Sequence, residues 1–527
     1  MTAQGHLRLP PAIALAVLAG YLTRLAFPDP GWWPLAPVGV ALWAVASAGR
    51  SWRTGSLVGL AYGLALMLPL LSWSGVYVGA FPWVALAVLQ SLYLVLLGAL
   101  LPRAQTLGRA APFVVAALWV GQEALRDRTP YGGFPWGRLA FSQSESPLAP
   151  LAALGGAPLV TFGVALAGAL LGSAVLRLLR PSPARRVRAL RPVLGAVAVG
   201  CCGLLVPLPT SGTPVQVAGI QGDVPQPGLE FNAERAAVLG NHASLTARLG
   251  ADVAAGRAPA PDVVVWPENA SDIDPFRQAD ARATIDDAVR AVDAPTLVGA
   301  VLRRDDGRLT NASIAWTPQA GPGARYAKRH PVPFGEYIPN RDFFRMFSDK
   351  VDLVAREYAP GDAVGRIDLG PARLGIAICF EVAYDGLVRD TVRDGADLLV
   401  VQTNNATFGY TDEAVQQLAM SQLRAIEHGR SVAHVSTVGV SAMIAPDGRI
   451  LTRSELFTPA VLQAALPLRT SLTLADRLGG APELVLTALG LLALALPWRR
   501  RRGDRRADTL AEPAPAPAGG LVTTEVQ

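Results

Sequence analysis

The sequence predicts a polytopic α-helical membrane domain of about eight transmembrane helices joined to an external, mixed α/β sandwich. Two observations carry that reading. Before position 212 the chain holds only four acidic residues (Asp29, Glu123, Asp127 and Glu145), set among long uncharged stretches of Leu, Ala, Val and Gly. From about Thr213 to Leu468, short β-branched runs alternate instead with helical patterns. The positive mean hydropathy therefore averages two different polymers. At 527 residues the chain is also too long for one ordinary core.

A bilayer core needs about 20 mainly apolar residues per helix. Eight stretches qualify, centred near residues 11–27, 33–48, 55–73, 82–101, 108–125, 150–176, 192–209 and 480–497. The first has the length of a secretory signal, but Arg24 and the lack of a small-residue cleavage site argue for a retained helix. Lys and Arg mark cytoplasmic loops. Here they cluster at Arg50 and Arg53, at Arg103 and Arg109, at Arg177, Arg180, Arg185, Arg186, Arg188 and Arg191, and at Arg499 to Arg502. These clusters follow every second span, which makes a merely solvated face the weaker account. The expected order is a seven-helix membrane domain over 1–209, an extracytoplasmic α/β domain over 210–475, an eighth helix over 476–498 and a cytoplasmic tail over 499–527. The tail starts basic, and its Ala-Glu-Pro-Ala-Pro-Ala-Pro run cannot bury a core, so disorder is expected there.

The same topology accounts for the net charge of +6, and no nucleic-acid partner is expected. Three cysteines, two of them adjacent at Cys201 and Cys202 in an apolar run, provide no disulfide framework, which leaves Cys379 alone in the α/β region. The five histidines lie far apart without ligand spacing, so no metal or other cofactor is expected.

In the α/β region, strands are expected at Val215–Ile220, Val263–Trp266, Thr296–Val301, Ala312–Trp316, Leu374–Ile378, Leu398–Gln402, Val432–Ser436 and Ser441–Ile444. Pro446-Asp447-Gly448 reads as a hairpin turn leading to a strand from Arg449. Asp412–His428 reads as a helix capped by Thr411 and ended by Gly429. Two apolar runs deliver chemistry at their ends, Val263-Val264-Val265-Trp266-Pro267-Glu268 a carboxylate and Leu374-Gly375-Ile376-Ala377-Ile378-Cys379 a thiol. Strand ends are where α/β proteins place chemistry. Taken singly, each residue has a plainer reading: a lone cysteine is most often a small buried hydrophobe, and a lone glutamate a surface or capping carboxylate. Lys328 stands out because only two of the 47 basic side chains are lysines. A compact ammonium suits a single oxyanion better than a planar guanidinium does.

Trp266-Pro267-Glu268, the segment Lys328-Arg329-His330-Pro331-Val332-Pro333-Phe334-Gly335-Glu336 and Ile378-Cys379-Phe380-Glu381 resemble, in order and separation, the Glu-Lys-Cys triad of the nitrilase superfamily. With seven spans before the domain and one after it, the resemblance narrows to the membrane-embedded branch, the bacterial apolipoprotein N-acyltransferases, and covers all but the tail. It implies a nitrilase-like α-β-β-α sandwich and ping-pong transfer of the sn-1 acyl chain of a phospholipid, through a Cys379 thioester, to the α-amine of a diacylglyceryl-cysteine at a lipoprotein's N-terminus. Glu268 would be the general base, Cys379 the nucleophile, and Lys328 with the Phe380 backbone N–H the oxyanion partners. Glu336 matches a family carboxylate that holds the lysine or assists the chemistry. Glu381 matches the family's Cys-aromatic-Glu, or is simply a carboxylate at a helix N-terminus.

Phe343, Phe344, Met346 and Phe347 form an apolar run read as a loop dipping into the outer leaflet and guarding the acyl chain; a short buried helix is the alternative. Trp136, in the Tyr131–Gly137 loop, is a second candidate wall, or an interfacial anchor. Two departures from the family pattern touch substrate contacts: Phe231, after Gln221-Gly222-Asp223-Val224-Pro225-Gln226, stands where a tryptophan is common, and Asn404-Asn405-Ala406-Thr407-Phe408 replaces Asn-Asp-Ala-Trp-Phe. The expected partners are phospholipid, diacylglyceryl lipoproteins and membrane lipid, with the protein a monomer. Two other readings rank lower. A tethered nitrilase-type amidase would need only one span, and a transporter with a binding module would carry more intramembrane charge than Arg24 and Glu123.

Overall fold

The computed structural model describes residues 7–179, 185–224 and 234–495. Phe231, Pro225, Gln226, Arg180, the Arg499 to Arg502 cluster and the tail lie outside the described residues. Helices occupy all eight expected positions: α1 (Leu9–Leu25), α2 (Leu35–Ser47), α3 (Trp52–Leu70), α4 (Ala80–Ala104), α5 (Ala111–Arg126), α6 (Ala152–Leu179), α7 (Arg185–Cys201) and, after the α/β domain, Ala481–Ala495. By length and composition, Trp52–Leu70, Ala80–Arg126, Ala149–Leu179 and Arg186–Leu205 are long and apolar enough to cross a bilayer; Leu9–Leu25, Leu35–Ser47 and Ala481–Ala495 are shorter apolar helices. Their outward faces carry exposed Leu92, Leu96, Leu194, Val197, Leu489 and Leu492, as lipid solvation requires. Lipid supplies no hydrophobic drive between helices, so close van der Waals contact through small residues holds them. A Cβ added at Gly59 would stand 2.4 Å from the Leu94 carbonyl oxygen, and one at Gly98 2.6 Å from that of Gly55. Backbone therefore meets backbone between α3 and α4.

The α/β domain contains β1 (Thr213–Gln221), β2 (Val263–Val265), β3 (Thr296–Arg303), β4 (Leu309–Thr317), β5 (Gly321–Ala327), β6 (Arg366–Leu369), β7 (Ala372–Ile378), β8 (Leu398–Thr403), β9 (Ser431–Ser436), β10 (Ala442–Ile444), β11 (Ile450–Arg453) and β12 (Ala460–Leu468). Among the described residues these form two six-stranded sheets, ordered β12-β1-β2-β3-β4-β5 and β11-β10-β9-β8-β7-β6. The helices are α8 (Arg235–Ala254), α9 (Ala279–Val292), α10 (Arg341–Arg345), α11 (Asp385–Arg393), α12 (Glu413–His428), α13 (Leu474–Leu478) and α14, the Ala481–Ala495 helix. Between the sheets, Val263 and Val265 of β2 pack with Leu374, Ile376 and Ile378 of β7. On the outer face of the first sheet, Val264 joins Leu239 of α8 and Ile285 of α9. On the outer face of the second, Ala377 and Leu399 join Val392 of α11 and Leu418 of α12. The layers run α-β-β-α. Both faces of β2 and β7 are buried, which is why their sequences read as unbroken apolar runs instead of alternating.

Three strands escape the sequence reading, β5, β6 and β12, and all three are sheet edges. An edge strand need not carry an apolar run; β5 is Gly-Pro-Gly-Ala-Arg-Tyr-Ala, with Gly323 to Arg325 exposed. Two boundaries move. The hairpin at Pro446-Asp447-Gly448 forms, but its second strand starts at Ile450, not Arg449. The cap of α12 is Asp412, not Thr411, and Asp412 makes no side-chain cap bond because its carboxylate pairs with Arg24 at the end of α1. Gly429 ends the helix as expected, at φ 57°.

The α11–α12 layer shares one apolar core with the membrane helices. A buried ion network reinforces the joint. Asp385 Oδ1 lies 2.7 Å from both Arg138 Nη1, on the loop after α5, and Arg424 Nη2, on α12. Arg424 also donates to the carbonyls of Val382 and Ala383, at 2.8 and 2.9 Å. Burial alone would raise the Asp385 pKa; the two guanidiniums outweigh it and hold the carboxyl well below the usual range. Asp385→Asn would remove the anion that joins the two guanidiniums, leaving Arg424 on Glu427 and Arg138 on Asp127, at a cost of about 1.5–3 kcal/mol. A lowered thermal unfolding midpoint in detergent checks this, and an unchanged midpoint would refute it.

Candidate active site

Glu268, Lys328 and Cys379 each follow the C-terminal end of a strand, β2, β5 and β7 respectively. Apolar runs sink β2 and β7 into the sandwich and carry Glu268 and Cys379 to one end of it, while Lys328 arrives there from the edge strand β5. Lys328 is 2% exposed and Glu268 5%, while Cys379 is half-buried. Lys328 Nζ lies 3.3 Å from Glu268 Oε1 and 3.0 Å from Glu336 Oε2. Asn311 of β4 joins the two carboxylates, its Nδ2 donating to Glu268 Oε1 at 2.6 Å and to Glu336 Oε1 at 3.0 Å. Glu336 Oε2 also accepts the backbone N–H of Val332 at 2.7 Å, which folds the lysine loop back on itself. One ammonium is thus clamped between two carboxylates in a nearly dry site.

Desolvation would discharge Lys328, but Glu268 and Glu336 override it and hold the pKa well above the lysine range. Burial pushes Glu268 up, against the pull of Lys328 and with Glu336 adding to the rise. A buried carboxylate whose proton affinity is raised is suited to act as a base near neutral pH. Burial likewise pushes the Cys379 thiol up, Glu268 adds to that and Lys328 opposes it. The resting thiol therefore holds its proton, and Lys328 favours the thiolate once the proton leaves.

Cys379 sits at φ 54°, in the left-handed region, where a non-glycine residue costs on the order of 1–3 kcal/mol. Glu381 braces that turn. It is fully buried, and Oε2 accepts the Ile378 N–H at 2.8 Å. Oε1 accepts the backbone N–H groups of Arg329 and His330, at 2.7 and 3.1 Å. The Tyr326 hydroxyl donates to both oxygens. The carboxylate is thus a cap for the nucleophile turn and also the link from that turn to the lysine loop.

Residues 19–170 match the family described as Apolipoprotein N-acyltransferase N-terminal domain. Residues 216–473 match Carbon-nitrogen hydrolase. An apolipoprotein N-acyltransferase of Mycolicibacterium smegmatis is 42% identical, over 92% of this chain and 84% of that protein. The chain belongs to the apolipoprotein N-acyltransferase family. Its similarity extends to the apolipoprotein N-acyltransferases of Azotobacter vinelandii, 32% identical over 96% of this chain and 97% of that protein, and Photobacterium profundum, 31% identical over 94% and 97%.

Beside the site, the loop after α5 brings aromatic residues onto the nucleophile turn. Phe134 and Trp136 stack on Phe380, with centroids 5.4 and 5.9 Å apart. Trp136 also meets Trp73, which in turn meets Phe408 edge-on. Trp136 is buried and donates from Nε1 to Gln416 of α12 at 2.7 Å. The expected Phe343–Phe347 loop is the short helix α10 and the turn after it. Phe343, Met346 and Phe347 are exposed, while Phe344 leans on Phe334, at 4.8 Å, and Tyr131, at 6.3 Å. The buried-helix alternative is therefore half right: the segment is helical, but none of α10 is buried.

Asn311, Thr403, Glu413 and Gln417 were missed by the sequence reading, which named Asn405 only as a departure from the family pattern. Asn405 stands where the acyltransferase family commonly has aspartate, and its Nδ2 donates to Glu413 Oε2 at 2.6 Å. Burial pushes the Glu413 carboxyl up to about 8, with Asn405 opposing and Glu268 adding. Between an unfolded value of about 4.3 and about 8, the folded protein keeps a proton that the unfolded chain has released, so stability falls as pH rises through that window. Glu413→Gln removes the titration and keeps the shape. Its unfolding midpoint is expected to decline less than that of wild type from about pH 5 to 8; parallel curves would show that Glu413 does not titrate there.

Proposed function

We propose that this chain is an apolipoprotein N-acyltransferase that moves the sn-1 acyl chain of a phospholipid to the α-amine of an S-diacylglyceryl-cysteine at the N-terminus of a lipoprotein. The observation that carries this reading is the Glu268–Lys328–Cys379 constellation, buried at one end of the sandwich and walled by aromatic residues from the membrane domain.

Glu268 takes the thiol proton as Cys379 Sγ attacks the ester carbonyl. The oxyanion meets the Lys328 ammonium and the Phe380 N–H. Collapse breaks the ester C–O bond, the lysophospholipid alkoxide takes the proton from Glu268, and a thioester remains. The lipoprotein amine then attacks that thioester and passes a proton to Glu268. As the C–S bond breaks, its electron pair returns to sulfur, and Glu268 reprotonates the thiolate. Glu336 holds Lys328 in place throughout. Phe343, Phe344 and Phe347 contact lipid at the mouth of the site, and Trp136 backs Phe380 along its wall.

We read 1–209 as the membrane domain, 210–475 as an extracytoplasmic catalytic domain, 476–498 as the eighth span and 499–527 as a cytoplasmic tail, with both termini cytoplasmic and the protein a monomer. Arg50 and Arg103, from two of the basic clusters, lie beside the two chain ends of the helical domain, which supports this orientation. Arg50 donates to the Leu7 and Arg8 carbonyls before α1, and Arg103 to Leu494 near the end of α14. A membrane-impermeant thiol reagent labelling Met346→Cys only from the cytoplasmic face would reverse it.

Acyl transfer is tested with sn-1-labelled phospholipid and a diacylglyceryl peptide in detergent. Label is expected in an amide on the peptide. Release only as free fatty acid would make the protein a hydrolase.

A further inference from the structure

We infer that Gln417 is a further catalytic residue, whose amide N–H donates to Cys379 Sγ and stabilises the thiolate that forms in each half-reaction. This rests on Cys379 being the nucleophile.

Gln417 Nε2 lies 3.6 Å from Sγ, within reach of a sulfur acceptor. The nitrogen and oxygen of a glutamine amide are easily exchanged in any structure, so its orientation has to be decided by its partners. Here a chain of donors decides it. Ser436 Oγ accepts the Gly439 N–H at 2.7 Å and donates its own proton to Asn405 Oδ1 at 2.5 Å. With Oδ1 accepting, Asn405 Nδ2 must donate, and it does so to Glu413 Oε2 at 2.6 Å and Gln417 Oε1 at 3.1 Å. Thr403 Oγ1 donates to the same Gln417 oxygen at 2.7 Å. Oε1 accepts from both, and flipping the amide would set its N–H against the Asn405 N–H. Only the NH2 group is left for sulfur.

Gln417 is fully buried, as are Thr403 and Asn405 within 2%. Glu413 and Gln417 stand one turn apart on α12 and so share the face that looks into the site. Burial and the Glu268 charge both oppose ionisation of Cys379. Lys328, already committed to two carboxylates, is the cation that favours it. A neutral N–H aimed at sulfur from α12 lowers the cost of the thiolate without adding charge to the site. In the first half-reaction it receives the developing thiolate as the proton moves to Glu268. In the second it receives the sulfur as the C–S bond breaks.

The test uses full-length protein carrying Cys201→Ala and Cys202→Ala, so that Cys379 is the single thiol. The rate of alkylation by iodoacetamide is followed against pH. A hydrogen bond to a charged group is worth about a factor of ten or more. Gln417→Met and Gln417→Leu are therefore expected to move the midpoint up by about one pH unit and to slow alkylation about tenfold below it. A purely structural role would leave the midpoint in place. A wild-type midpoint in either folded variant overturns the inference. Where neither folds, Gln417→Asn, which withdraws the amide by one methylene, is read the same way. Adduct formation with sn-1-labelled phospholipid separates the two claims. If the single-thiol protein forms no adduct, the assignment of Cys379 falls; if it forms one and the Gln417 variants titrate as wild type, only the role of Gln417 falls.

Discussion

Cys379→Ala is expected to form no hydroxylamine-sensitive acyl adduct with sn-1-labelled phospholipid and to lose turnover by at least about a millionfold, the scale on which loss of a covalent nucleophile is felt. The fold is expected to survive. The side chain is small and half-buried, and the turn that carries it is braced by Glu381, which binds the backbone on either side of the site and not the thiol. Alanine at a positive φ retains the backbone cost that cysteine already bears. The unfolding midpoint should therefore move little while chemistry stops. Equal labelling of wild type and Cys379→Ala would place the acyl group elsewhere and end the proposed mechanism.

The second large effect is expected at Lys328. Lys328→Arg conserves charge, yet the site holds a point cation: Nζ lies 3.3 Å from Glu268 and 3.0 Å from Glu336, with 2% of the residue exposed. A guanidinium is broader, planar and directed in its donors. To reach both carboxylates it must displace either Asn311, which bonds the same two groups, or the oxyanion position. Loss of one preorganised oxyanion donor alone costs about a hundred- to a thousandfold in turnover. Lys328→Arg is expected to lose about a thousandfold, measured as N-acyl peptide formed per minute. Lys328→Met should fall further, because both carboxylates then lose their buried cation, and a Glu268 that stays protonated cannot serve as a base. Activity within tenfold of wild type in Lys328→Arg would mean that Lys328 is not the oxyanion partner.

The residues legible in advance share a local signature. Glu268 and Cys379 end apolar runs, and Lys328 is one of two lysines in an arginine-rich chain. Asn311 had no such mark. It sits inside β4, whose other face is as buried as its own, so no alternation shows which side it serves. Gln417 lies on a helix with Gln416, Gln422 and Glu427, where a row of polar residues reads as a solvated face. In the structure that face is buried, because α12 is wedged between the second sheet and the membrane helices.

By itself, the sequence determined where apolar helices form, which strands are buried on both sides, and which carboxylate, ammonium and thiol stand at strand ends. Those properties depend on hydrophobic period and composition within a few residues. Only the tertiary structure decided that Asn311 joins Glu268 to Glu336, that Glu381 ties the nucleophile turn to the lysine loop, and that Asp385 joins Arg138 to Arg424. It likewise decided that Gln417 turns its N–H to sulfur. Hydrogen bonds and ion pairs are short-ranged in space but not along the chain. Their partners here come from different strands, helices and loops, and they are set by how two sheets and a helical bundle pack.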